Sequence, residues 1–158
     1  MGLIKRRLLS ILPPRCLVNI FLDVDNLENT DDIEEYIAQS NLILIFLSAG
    51  YWASWNCCRE AVASVHQRKE RLLVHENDLG HGGEPLSQAF VNCVSSKSVD
   101  GVLSHTKAKE DPWCADPRTF ATTVFNGMRL DDSSQAERSI IEWHRRGSLL
   151  LERAPDLA

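Results

Sequence analysis

The chain has 158 residues, of which 44% are hydrophobic and 25% charged, and its formal net charge is −5. This length fits one domain with a sizeable core. The negative charge argues against a nucleic-acid binder that neutralises phosphates over its surface. No stretch approaches the ~18 apolar residues of a membrane helix, so no membrane association is expected. Five cysteines, odd in number and irregularly spaced, predict a reduced, cytoplasmic chain rather than a disulfide scaffold.

The N-terminal part predicts a helix, a strand and a second helix. Residues 4–12 place apolar side chains on one helical face. Residues 17–25, LVNIFLDVD, read as a strand that closes on Asp23 and Asp25. After a polar loop, a short helix is predicted over Ile33–Gln39.

The strongest pattern in the chain is a buried strand followed directly by a helix. Six apolar residues, Leu42–Leu47, run without alternation, which is typical of a parallel strand covered on both faces. Apolar residues then recur with helical spacing from Cys58 to Val65. Ser54 can cap this helix, which we expect to extend to Lys69.

The remaining elements are predicted from shorter patterns. We expect a strand over Arg71–His75, a glycine-rich loop over Asn77–Pro85, one or two helical turns over Leu86–Cys93, loop or insertion over Val94–Pro117, and a last strand over Ser139–Trp143. Strands that alternate with helices predict an α/β fold with a parallel sheet. The domain is accordingly divided into a core of residues 1–93, an insertion or irregular segment 94–138, and a closing strand with a weak helix over 139–158.

Ligand sites of open α/β sheets gather where strands pass into their helices. In this chain that point is surrounded by Ser48, Gly50, Tyr51, Trp52 and Glu60. Glu60 lies off the apolar stripe, near a helix N-terminus where a carboxylate is favoured without any chemical role. Helical spacing alone therefore favours a solvated side chain at this position.

Asp23 and Asp25 form a D-x-D pair at a strand end, as in haloacid-dehalogenase-type phosphatases, where one Asp is the nucleophile and the other a general acid beside Mg²⁺-bound phosphate. The chain has Leu27 where those enzymes carry Thr or Val, so two solvated aspartates are the simpler interpretation. The cysteines and histidines lack the spacing of a zinc site. The glycines of residues 80–83 do not form a phosphate-binding loop. No metal or cofactor is therefore expected.

Taken together, IFLDVDNLE (residues 20–28) and IEEYIAQSNLILIFLSAGYWASWNCCREAV (residues 33–62) resemble a TIR (Toll/interleukin-1 receptor/resistance protein) domain. Residues 75–86 and 140–146 resemble its later segments. The resemblance implies a flavodoxin-like three-layer sandwich with a five-stranded parallel sheet. No segment resembles the first strand of the family, which implies an N-terminally truncated domain.

The family also implies homotypic association with other TIR domains in signalling. In many members it implies cleavage of NAD⁺, as substrate, at the nicotinamide–ribose bond. The catalytic glutamate of those members matches Glu60. A single carboxylate suits this chemistry, because nicotinamide leaves as a neutral molecule and only the oxocarbenium-like ribose needs stabilisation. Asp25, Ser48, Tyr51 and Trp52 are the expected binding residues around nicotinamide or adenine.

Two alternatives remain open at the level of sequence. Many NAD-cleaving members carry Trp four residues before the glutamate, and this chain has Asn56 there. That difference, with the missing first strand, favours a non-catalytic TIR–TIR interaction module. A Mg²⁺-dependent phosphatase that uses Asp23 and Asp25 is the more distant alternative.

Overall fold

The computed structural model describes residues 32–126 and 140–143. The chain divides into two compact units, Met1–Ile33 and Glu34–Ala158, and the elements below belong to the second, except that the first helix begins at Ile33. The predicted strand over 17–25, with Asp23 and Asp25, lies outside the described residues. So do residues 1–12, on which the expectation of a missing first strand depends.

Eight regular elements follow one another in the described residues. They are α1 (Ile33–Gln39), β1 (Leu42–Leu47), α2 (Trp55–His66), β2 (Glu70–Glu76), α3 (Leu86–Ser95), α4 (Lys97–His105), α5 (Pro117–Asn126) and β3 (Ile141–Trp143). Short 3₁₀ turns lie at Tyr51–Ala53, Leu79–His81 and Lys107–Glu110. The predicted α/β architecture is confirmed.

The three strands form one parallel sheet in the order β1-β2-β3. β1 pairs with β2 from Leu42 opposite Glu70 to Leu47 opposite His75. β3 pairs with the last residues of β2, from Val74 to Glu76. The strands predicted over Leu42–Leu47 and Arg71–His75 and the last strand, present here as Ile141–Trp143, are therefore confirmed, with β1 parallel to β2 and β2 parallel to β3. Because their carboxyl ends point the same way, the loops that follow β1 and β2 meet at one edge of the sheet.

β1 has the predicted bounds, but its two faces are buried to different extents. Ile43, Ile45 and Leu47 are buried, whereas Leu42 is 51% exposed and Phe46 is half-buried. One face of the strand therefore belongs to the core and the other is only partly covered. The prediction from the run of six apolar residues, that both faces of the strand would be buried, therefore holds for one face only.

α2 begins as predicted. The Ser54 hydroxyl accepts a hydrogen bond from the Cys57 amide at 3.4 Å, which caps the first turn. The apolar stripe is buried at all four of its positions, Cys58, Ala61, Val62 and Val65. Burial of this stripe attaches the helix to the core.

The end of α2 differs from the prediction, which extended the helix to Lys69. The helix ends at His66, and Arg68 adopts a left-handed backbone with φ 57°. The Lys69 amide donates to the Ser64 carbonyl at 2.9 Å, and the Arg68 amide donates to the Val65 carbonyl at 3.0 Å. These two bonds form a Schellman motif, in which glycine usually holds the left-handed position.

The expectation that Val94–Pro117 is loop or insertion is wrong in its secondary structure, because the segment contains α4. Ser96 caps this helix, its hydroxyl accepting from the Val99 amide at 3.1 Å. Val99, Val102 and Leu103 are buried on its inner face. α4 packs against α2, and Gly101 makes the close approach feasible, since a Cβ there would lie 2.7 Å from the Trp55 ring.

The segment 94–138 also holds α5, where irregular structure was expected. Asp116 caps α5, its carboxylate accepting from the Arg118 amide at 2.9 Å and the Thr119 amide at 3.0 Å. Pro117 stands at the first helical position, where its missing amide hydrogen costs nothing. Phe120 is fully buried, and α5 packs against α2 and α3. α2, α3, α4 and α5 therefore share one helical core.

Candidate functional site

Two loops meet at the carboxyl edge of the sheet. The loop after β1 runs from Ser48 into the 3₁₀ turn Tyr51–Ala53, and the loop after β2 spans residues 77–85. The Ala49 amide donates to the Gly82 carbonyl at 2.9 Å, which joins them directly. This edge is where a parallel α/β sheet presents a ligand site.

Glu60 lies in the second turn of α2 and is half-buried. Its negative charge reaches the Tyr51 side chain in the preceding turn. Burial of the Tyr51 hydroxyl raises its pKa well above the ordinary value, and the charge of Glu60 adds to this shift. A tyrosinate is thus strongly disfavoured beside Glu60, and Tyr51 stays a neutral hydrogen-bond donor.

Tyr51 and Trp52 are core residues in this state rather than an open aromatic surface. Their exposures are 7% and 2%. The Trp52 ring meets Tyr51 edge-on at 4.8 Å between centroids, and it lies 6.2 Å from Phe120 and from Phe125. Among the described residues, the Tyr51 hydroxyl and the Trp52 indole nitrogen have no hydrogen-bond partner. Two buried donors of the turn after β1 are therefore left unsatisfied, and one of them, the Tyr51 hydroxyl, lies within the electrostatic influence of Glu60.

The backbone around these rings is firmly held. The Ser48 carbonyl accepts from the Tyr51 amide at 3.0 Å, which closes the turn after β1. The Trp52 carbonyl accepts from the Ser96 hydroxyl at 2.5 Å and from the Cys58 thiol at 3.5 Å. Ser48 itself is half-buried. The structure thus brings Ser48, Tyr51, Trp52 and Glu60 to one end of the domain, while Asp25 lies outside the described residues.

Arg59, the neighbour of Glu60, is engaged with α1. Its Nε donates to Glu34 Oε1 at 2.9 Å and its Nη2 to Glu34 Oε2 at 2.5 Å. This two-pronged pair holds the pKa of Glu34 below its ordinary value, against the opposing effect of burial. The guanidinium therefore fixes α1 to the start of α2.

The loop over residues 77–85 is rigidly organised. The Asp78 carboxylate accepts from the Gly80 amide at 2.9 Å and contacts His81 Nδ1 at 2.8 Å. Glu76 is fully buried, and its Oε1 accepts from the Asp78 amide at 3.1 Å. A Cβ on Gly83 would lie 2.6 Å from the Glu76 carbonyl oxygen, so only glycine fits there.

Glu84 is a buried acid that sequence reasoning missed. It is 7% exposed, and its Oε2 accepts from Asn92 Nδ2 at 2.6 Å. Burial raises its pKa, although the bond from Asn92 and the nearby His75 act in the opposite direction. The sequence offers no signal for its burial, because Glu84 stands in a polar, glycine-rich loop.

The described cysteines do not supply a reactive thiolate within the core. Cys58, Cys93 and Cys114 are buried and free. Burial raises the pKa of Cys58 and of Cys114 to about 12, and that of Cys93 also rises strongly. Because the thiolate is the nucleophilic form, these three side chains are structural.

Residues 32–126 and 140–143 contain neither a metal-binding cluster nor a helix that could span a membrane. Within those ranges, no group of three or more His, Cys, Asp or Glu side chains could hold a metal ion. Over the same ranges, no helix combines the length and the apolar character needed to cross a bilayer.

No protein-family model, curated protein or solved structure matches the chain. The fold and the site define an α/β protein with a parallel sheet and two acidic side chains, Glu60 and Glu84, in the elements that follow β1 and β2. The resemblance to TIR domains stays a prediction.

Proposed function

We propose that the chain is a TIR-like signalling domain in which Glu60 is the residue that cleaves NAD⁺ to nicotinamide and ADP-ribose products. The observation that supports this most is the placement of Glu60. It is half-buried in the helix that follows β1, at the end of the domain where parallel α/β sheets bind ligands. The proposed fold is the flavodoxin-like sandwich of the TIR family, and β1-β2-β3 would be three consecutive strands of its sheet.

The chemistry assigned to Glu60 is electrostatic. As the bond between ribose and nicotinamide breaks, positive charge develops on the ribose, and a carboxylate fixed nearby stabilises it. A half-buried carboxylate does so more effectively than a solvated one, because the local dielectric is lower. Tyr51, a neutral donor within reach of this charge, belongs to the same site.

The test is nicotinamide release from NAD⁺ by the full chain and by Glu60→Gln, which keeps shape and removes charge. We expect the substitution to reduce the rate at least about 100-fold, the size of effect seen when one preorganised electrostatic group is lost. Glu35→Gln is the matched control, since Glu35 is an exposed glutamate on α1. Equal rates for the parent and Glu60→Gln would refute the enzymatic proposal.

A second candidate is a non-catalytic module that binds other TIR domains in the cytoplasm. The burial of Tyr51 and Trp52 favours it, because these rings leave no open aromatic surface of their own for a nicotinamide or adenine ring. A chain that binds TIR partners but releases no nicotinamide would select this alternative. The phosphatase alternative depends on Asp23 and Asp25, which lie outside the described residues.

A further inference from the structure

α3 is the one α-helix of the described residues whose sequence carries no charge. Its ten residues, Leu86–Ser95, read LSQAFVNCVS, whereas each of the other four described α-helices holds at least one Asp, Glu, Lys or Arg. The outer side of a surface helix normally carries charged residues. Depletion of charge is instead typical of the centre of a protein–protein interface.

The two sides of α3 have different surroundings. Ala89 and Cys93 are buried on the inner side, where the helix packs against α5. On the outer side, Val91 is 55% exposed. Ser87 and Ser95, four residues before and after Val91, are exposed as well. Because residues four apart are neighbours on a helix surface, these three side chains form one outer row along α3.

Three polar side chains at or beside this row, those of Ser95, Gln88 and Asn92, already have partners within the chain. The Ser95 hydroxyl donates to the Val91 carbonyl oxygen at 2.8 Å. Gln88 Nε2 donates to Asn92 Oδ1 at 2.9 Å, and Asn92 Nδ2 donates to Glu84 Oε2 at 2.6 Å. Covering a donor that is already satisfied costs less than covering one that depends on water. The outer side of α3 is therefore suited to burial against another surface.

We propose that the outer row of α3, formed by Ser87, Val91 and Ser95, is the contact between two copies of this chain. The two α3 helices run antiparallel about a two-fold axis that passes beside Val91. Each residue before Val91 then lies opposite the residue at the same distance after it in the second copy. Ser87 therefore meets Ser95, Val91 meets its own copy, and the small serines let the helix axes approach closely.

The absence of charge favours a second copy as the occupant of this surface. A residue at a two-fold axis faces itself, so a charged side chain at position 91 would meet a like charge, whereas valine buries apolar area. Two chains of formal net charge −5 repel one another, and an uncharged helix adds no like-charge contact to that repulsion. The inference goes beyond the reaction assigned to Glu60 and does not depend on it.

The size of the contact predicts a weak dimer. A helix of ten residues is about 15 Å long, and a crossing of two such helices falls in the range of small, transient interfaces. The fraction of dimer should therefore rise with protein concentration.

Sedimentation velocity of the full chain over a range of concentrations tests the dimer. We expect the sedimentation coefficient of the parent to rise with concentration. Val91→Glu should weaken association at least about tenfold, because two like charges would face each other at the axis. Thr122→Glu is the matched control, since Thr122 is exposed on α5 and its hydroxyl, like that of Ser95, donates to a carbonyl of its own helix. A parent that stays monomeric at every concentration, or equal association of the parent and Val91→Glu, would overturn the inference.

Cysteine pairing tests the antiparallel arrangement. Val91→Cys should form a disulfide-linked dimer under air oxidation with copper–phenanthroline. Ser87→Cys and Ser95→Cys should each link poorly alone, because identical positions four residues from the axis lie about 12 Å apart along the helices, beyond the ~7 Å between the Cα atoms of a disulfide. The two variants should link efficiently when they are mixed.

The background of this experiment is set by Thr122→Cys and by the parent, which keeps its native cysteines. A Val91→Cys dimer that forms no faster than the Thr122→Cys dimer would refute the contact. Efficient links in Ser87→Cys alone and in Ser95→Cys alone, with none between them in the mixture, would refute the antiparallel two-fold arrangement.

Discussion

Arg68 donates two hydrogen bonds to Asp111, from Nη1 to Oδ2 at 2.5 Å and from Nη2 to Oδ1 at 2.9 Å. The same guanidinium lies over the Trp113 ring, 3.8 Å from its centroid. Asp111 also accepts from the Trp113 amide at 3.0 Å, and His66 Nδ1 lies 3.2 Å from Oδ2. These four residues, the Arg68 clasp, connect the end of α2 to the segment before α5.

Asp111→Asn should lower the free energy of unfolding by about 1–3 kcal/mol. The substitution removes the charge that both Arg68 nitrogens bind, and it leaves a largely buried polar group with a mismatched donor. Denaturant melts of the parent and the variant give the difference. Glu110→Gln, at the exposed neighbouring position, is the control and should stay within about 0.5 kcal/mol of the parent. A difference for Asp111→Asn no larger than that of the control would contradict the structural role of the clasp.

The contribution of Asp111 should disappear in acid. The hydrogen bonds from Arg68 hold the pKa of Asp111 below its ordinary value. A depressed folded-state pKa means that the stabilisation is complete above the unfolded-state value, about 3.9, and is lost as the pH falls through the lower folded-state value. The stability difference between the parent and Asp111→Asn should therefore be present at neutral pH and shrink below about pH 4. A difference that does not change down to pH 2 would disprove the assignment.

Glu84→Gln should show the opposite pH dependence. Burial raises the pKa of Glu84 above its ordinary value, about 4.3. The folded state therefore favours the protonated acid, whose stabilisation is complete below the unfolded-state pKa and lost as the pH rises through the folded-state value. Glutamine does not ionise. The variant should thus gain stability relative to the parent as the pH rises above the unfolded-state value. Melts of the two proteins at a series of pH values measure this, and a stability difference that does not change with pH would contradict it.

Gly83→Ala should destabilise the loop after β2, whereas Gly50→Ala should not. A Cβ at Gly83 would lie 2.6 Å from the Glu76 carbonyl oxygen and 2.8 Å from that of Asp78, and backbone atoms cannot move aside cheaply. Overpacking of this kind costs about 1–3 kcal/mol. Gly50 has ordinary backbone angles and nothing within 4 Å of a Cβ. Thermal melts of the two variants compare them directly, and equal melting temperatures would rule out the tight packing at Gly83.

Local patterns predicted the elements with continuous apolar signals. The bounds of α1 and β1 are as predicted, and Ser54 caps α2, because each depends on residues close together in sequence. α4 was missed because its inner stripe has only three apolar residues and Gly101 interrupts its helical propensity. That glycine is explained only by the Trp55 ring packed against it, a contact between distant parts of the chain.

The candidate site was predictable only in part. The position of Glu60 after a buried strand follows from order along the chain. The burial of Trp52 does not, because it depends on Phe120 and Phe125 from the missed helix α5. The burial of Glu84 was equally hidden, because it depends on the approach of α3, from which Asn92 donates to the Glu84 carboxylate.

The left-handed Arg68 makes the length of α2 a property of the whole fold. A side chain other than glycine in this conformation is strained by about 1 kcal/mol, and it is held by Asp111 and Trp113 from a later segment. The local Schellman bonds close the helix, but the side chain at the left-handed position is bound by a segment 43 residues further along the chain. The end of α2 is therefore stabilised in part by residues that lie far from it in sequence.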